Sequence, residues 1–92
     1  MSISSDNRNA FESALNSAKE DLDIDAIIDV AKKVAKEGDK KWANKILEQA
    51  ESVWEKDGYR SFDTETLAGA LFGLGETEWA NKIFEKAESA CD

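Results

Sequence analysis

The chain has 92 residues, a formal charge of -8, 41% hydrophobic and 35% charged residues, and neither histidine nor proline. This balance describes one globular domain rather than a disordered segment, and its sign argues against direct binding to nucleic acid or to an anionic membrane surface. Without histidine, and with Cys91 as the only cysteine, the chain lacks the usual zinc and copper ligands, the common proton shuttle and any internal disulfide.

No cofactor is therefore expected. The opening stretch MSISSDNRNAF has neither a basic start nor an apolar run, so no signal peptide is read there. Nor does any apolar segment approach the roughly 20 residues of a membrane span, and a cytoplasmic protein is the simplest expectation. The acids dominate both ends, while the middle of the chain holds the one basic cluster, Lys32, Lys33, Lys36, Lys40 and Lys41. A run of this kind ordinarily solvates a helix face.

In chain order, Ser5 and Asp6 offer acceptors at a helix start, and Ala10, Phe11, Ala14, Leu15 and Ala18 recur at helical spacing, predicting a first helix over 6–20. Asp21, Asp23 and Asp25 follow, where short carboxylates compete for backbone amides and favour a turn, with a cap at Asp23 or Asp25. Ala26, Ile27, Val30, Ala31, Val34 and Ala35 make the stripe of a second helix, which Gly38 ends. Asp39 is placed to cap a third, whose stripe is Trp42, Ala43, Ile46, Leu47, Ala50, Val53 and Trp54, closed by a turn at 56–58. Ser61 or Asp63 opens a fourth with Leu67, Ala68, Ala70, Leu71 and Phe72, ended by Gly73 and Gly75. A fifth, about 76–90, carries Trp79, Ala80, Ile83, Phe84, Ala87 and Ala90. The short links between these helices favour antiparallel neighbours.

One stretch occurs twice. Residues 38–53, GDKKWANKILEQAESV, return as 75–90, GETEWANKIFEKAESA, at an offset of 37 residues and with ten of sixteen positions identical. A repeat of this length is a supersecondary unit that buries its apolar face by stacking on its neighbour. The small residues Ala31, Ala43 and Ala50, and again Ala68, Ala80 and Ala87, let paired helices approach closely, with Leu47 and Phe84 expected to fill the space between layers. The reading is a single all-α domain over 1–92: one helix at 6–20, one hairpin at 25–56 and a second at 62–91.

Gly75, Ala80, Phe84 and Ala87, preceded by Leu67 and Leu71, and in the earlier copy Val30, Val34, Gly38, Ala43, Leu47 and Ala50, resemble a divergent tetratricopeptide repeat over about 25–90. The period of 37, Ile27 and Thr64 where an aromatic is usual, and the missing proline depart from that pattern. The resemblance implies a short α-solenoid of antiparallel helix hairpins, five helices in all. It also implies a concave groove lined by the first helix of each hairpin, at Ile28, Lys32, Ala35 and Lys36 and at Phe62, Glu65, Gly69 and Phe72. In such a groove Phe62 and Phe72 would anchor an apolar side chain, and Lys32 and Lys36 would pair with acidic groups. The asparagines that complete a carboxylate clamp in some members of that family are absent here.

Other features have plainer readings. Trp42 and Trp79 each stand four residues before an isoleucine on the same stripe, so packing is favoured over binding. The three aspartates resemble the start of a calcium loop, but the turn glycine is replaced by Ala26 and the bidentate acid by Lys32, which leaves capping. No serine or cysteine has an activating base, and no glycine-rich phosphate loop occurs, so an enzyme is not expected. The leading expectation is a module that binds another protein or peptide through Ile28, Lys32, Lys36, Phe62, Glu65 and Phe72. Two alternatives are a homodimer formed through the terminal helix, with Trp79, Ile83, Ala90 and Cys91 uncovered, and an acidic decoy for a basic nucleic-acid site.

Overall fold

In a computed structural model that describes residues 5–90, the chain forms α1 (Ser5–Glu20), α2 (Ile24–Lys36), α3 (Lys40–Lys56), α4 (Ser61–Gly73) and α5 (Thr77–Ala90). Among the described residues there is no strand, and no helix is long and apolar enough to cross a membrane. Cys91, assigned to the last helix from the sequence, lies outside the described residues.

The first four helices end in the same way. A backbone N–H reaches the carbonyl five residues back, from Asp23 to Ala18 (2.9 Å), Asp39 to Val34 (3.3 Å), Tyr59 to Trp54 (3.1 Å) and Glu76 to Leu71 (2.8 Å). Closing this loop requires the preceding residue to be left-handed. Glycine meets that need at Gly38, Gly58 and Gly75, whereas after α1 the position is held by Leu22 at φ 55°. Tyr59, 37 residues after Leu22, is also left-handed, at φ 59°. Two of the next helices open on an aspartate: Asp23 accepts from the Ala26 N–H (3.2 Å) and Asp39 from the Trp42 N–H (3.0 Å). Capping thus accounts for Asp23. At α4 the expected caps fail. Ser61 is already helical, Arg60 holds the cap position without a side-chain bond, and Asp63 sits in the first turn.

α2 is the central helix. It packs against α1, α3 and α4, while α4 in turn packs against α3 and α5. Three neighbours bury more of α2 than a one-sided stripe predicts: Ile24 and Ile28 join Ile27, Val30, Ala31 and Val34 in the core. Ile28, expected to line an open groove, is 1% exposed and belongs to that core. α1 is the reverse case. Its inner face buries only Leu15 and Ala18, with Phe11 half-covered, and Ala10 and Ala14 of the expected stripe face solvent.

The tryptophans join successive elements. Trp42 of α3 stacks edge-on to Phe11 of α1 at 6.1 Å, with the Arg8 guanidinium 4.6 Å from its ring centre. Trp79 of α5 donates its indole N–H to Glu51 of α3 at 2.7 Å. Trp54 is fully buried, packs edge-on to Tyr59 at 4.8 Å and donates to the Thr64 hydroxyl of α4 at 2.8 Å. That hydroxyl donates onward to the Arg60 carbonyl, so both the indole N–H and the hydroxyl O–H of this relay have acceptors.

Two stability measurements follow from these local facts. Leu22→Gly removes the left-handed penalty on a side chain, about 1–2 kcal/mol, against roughly 0.5–1 kcal/mol of added unfolded-chain freedom. Its melting temperature is expected to rise by a few degrees. Thr64→Val leaves the Trp54 indole N–H buried without an acceptor and should cost about 1–3 kcal/mol in urea unfolding.

Candidate interaction surface

The outward side of the molecule carries more apolar surface than its helices need for packing. α4 reads SFDTETLAGALFG, with apolar residues distributed round its whole circumference. Its inner arc, Thr64, Leu67, Ala68, Ala70 and Leu71, is buried. Its outer arc carries Phe62, which is 70% exposed, Phe72, 45% exposed, and two glycines, Gly69 and Gly73. A side chain at either glycine would meet nothing within 4 Å. No packing contact therefore requires Gly69, although glycine inside a helix is about 1 kcal/mol less favourable than alanine.

Phe72 does not point away alone. Its ring lies 6.3 Å from that of Phe84 on α5, tilted by 35°, and Phe84 is itself 40% exposed. Phe84 was expected to fill space between layers as Leu47 does; Leu47 is buried, but no described element lies over Phe84. Of the six residues expected to meet a partner, Lys32, Lys36, Phe62, Glu65 and Phe72 are exposed and Ile28 is not. On α2 the lysines share an outward face one turn apart, and at the 37-residue offset they correspond to Gly69 and Gly73. Glu65 and Phe72 correspond instead to Ile28 and Ala35, positions that α2 turns toward its neighbours. The structure thus separates one expected surface into an outward face and an edge.

Sequence reasoning missed a polar cluster on the side of α5 away from Phe84. Lys86 bonds both Glu51 and, at 3.0 Å, Glu55 of α3, and Glu51 also accepts from Trp79. Burial pushes the Glu51 carboxyl up, but the hydrogen bonds from Lys86 and Trp79 outweigh it and hold the group below the usual glutamate value. Hydrogen bonds to the two glutamates hold Lys86 above the ordinary lysine value. A shallow cleft beside this cluster has Glu48, Glu76 and Glu78 round Trp79; another, lined by Tyr59, Lys82, Glu85 and Ser89, opens next to it. None of the six expected residues lines either cleft. At the start of α4, burial and the nearby charges of Asp25 and Asp57 push the Asp63 carboxyl up. Among the described residues no three acids or cysteines are grouped to hold a metal ion.

Comparison with protein-family models, with curated proteins and with solved structures found no match.

The Glu51 and Lys86 shifts imply a pH dependence with a definite sign. A lowered carboxyl stabilises the fold fully above its ordinary value of 4.5 and loses that contribution as pH falls through the lowered folded value. A raised lysine stabilises fully below 10.5 and loses its share as pH rises beyond that. Because Lys86 is largely solvent-screened, Glu51→Gln should cost only about 1 kcal/mol at neutral pH. The same variant should flatten the acid limb of the stability profile, measured by urea unfolding between pH 3 and pH 7.

Proposed function

We infer that the chain is a non-catalytic protein-interaction module, built as a short α-solenoid similar to tetratricopeptide arrays. In this reading α2 with α3 and α4 with α5 are antiparallel hairpins, stacked after the single helix α1. The matching turns at Gly38 and Gly75, 37 residues apart and closed by the same backbone bond, support it, as does the packing of α4 on both α2 and α3. A segment of another protein lies along the outward face, with Lys32 and Lys36 on α2 meeting its acidic groups and Phe62 on α4 entering an apolar position beside Gly69.

One observation carries this reading: Gly69, inside α4, faces open solvent two turns along the same face from exposed Phe62, with no internal contact that requires a missing side chain. A glycine that lowers helix stability and serves no packing keeps an outward surface accessible. Such a surface is the usual place of an aromatic anchor in an interface.

The test compares affinity capture by the wild-type chain with capture by a Lys32→Glu/Phe62→Ser double variant. Both positions are exposed, so the melting curve should be unchanged while partner recovery falls by about tenfold or more. Equal recovery would remove this face from consideration. Gly69→Ala separates stability from function on the same face: the helix should gain about 0.5–1 kcal/mol, with no gain in capture.

A further inference from the structure

Positions 37 residues apart have unlike surroundings at one edge of the molecule. On the first pair of helices, Ile28 and Leu47 are buried, and Ala35 and Glu51 are partly covered. Their counterparts on α4 and α5 are Glu65, Phe84, Phe72 and Glu88, and all four are exposed. The cause is visible in the packing. α4 lies on both α2 and α3, and α5 extends Trp79 and Lys86 to Glu51. Nothing among the described residues takes those places beyond α5.

The molecule thus contains an example of what covers this surface. The apolar positions are covered by a helix, and the carboxylate at Glu51 is met by an indole N–H and an ammonium seven residues apart on one helix face. We propose that the edge formed by Phe72, Phe84, Glu65 and Glu88 docks a basic amphipathic helical segment of another protein. Its apolar stripe covers the two phenylalanines, and a lysine beside that stripe pairs with Glu88. The proposal rests on the stacked-hairpin reading above but uses a different surface from the lysine-bearing face.

Charge selects this occupant. The exposed charged groups of the edge are Glu65 and Glu88, while Lys82 is two residues from Phe84 and so on the far side of α5, and Lys86 is already held by Glu51 and Glu55. A second copy paired through the same edge would set these carboxylates against each other in a chain of charge -8. The other end of the molecule suits the edge no better. Ala10 and Ala14 on the outward side of α1 are small and bring no aromatic group.

The experiment is fluorescence anisotropy with the full chain and a labelled amphipathic peptide of about five helical turns. The probe carries leucines on one face, with a tryptophan and a lysine two turns apart beside them; a control peptide replaces its lysines by glutamate. The lysine peptide should bind, the glutamate peptide about tenfold or more weakly, and Phe84→Ser and Glu88→Lys should each reduce binding by a similar factor. Lys32→Glu/Phe62→Ser should leave it unchanged. Absence of binding up to about 1 mM protein overturns the proposal. So does binding lost with the Lys32→Glu/Phe62→Ser variant but kept by Glu88→Lys, which would assign the peptide to the outward face. A mass that doubles with concentration and reverts to monomer in Phe84→Ser would overturn it in favour of a second copy.

Discussion

Trp54 has no contact with solvent, and its indole N–H has one acceptor, the hydroxyl of Thr64 on the next helix. The bond joins the end of α3 to the first turn of α4 and so sets where α4 begins. From that start α4 runs across both α2 and α3, and the apolar positions Ile28, Leu47 and Trp54 lie in the core. The indole also gives the interface a specific register. A purely apolar contact tolerates sliding, whereas a buried N–H donor without a partner is costly, so only a placement that brings Thr64 to Trp54 is favourable.

Much of this organisation is readable in the residue order. The five helices follow from apolar spacing, and glycine and aspartate mark several of their boundaries as expected, though not the start of α1 or of α4. Gly38, Gly58 and Gly75 supply left-handed turns, and Asp23 and Asp39 cap. The packing role of Trp42 and Trp79 is legible too, since each shares the stripe of a buried isoleucine. What escapes the pattern is the number of neighbours each helix has. A stripe is scored against one partner, but α2 has three, which is why Ile28 is buried although it stands outside the main stripe. α5 has fewer, which is why Phe84 is exposed although it repeats Leu47. The start of α4 escaped for a different reason. Thr64 is a weak local signal, and its importance comes from Trp54, ten residues earlier and on another helix.

Local duplication thus produces unequal surfaces. The same position of the repeat is sealed where a described helix packs over it and exposed where none does, and α4 with α5 carries an exposed phenylalanine pair with carboxylates beside it. The outward face of α4 is open as well: a Cβ at Gly69 would meet nothing within 4 Å. Polar contacts strengthen the closed side. Glu51 accepts from Trp79 and Lys86 and so links α5 to α3 by side chains, on the side of α5 opposite the phenylalanine edge.

The inequality between paired positions is the claim on which the functional account depends, and solvent paramagnetic relaxation of the side-chain NMR signals measures it directly. With a soluble gadolinium chelate, the ring signals of Phe72 and Phe84 are expected to relax strongly, while the methyl signals of Ile28 and Leu47 stay nearly unaffected. Equal protection of Leu47 and Phe84 would contradict the account, because the edge would then be covered within the free chain and unable to receive a partner.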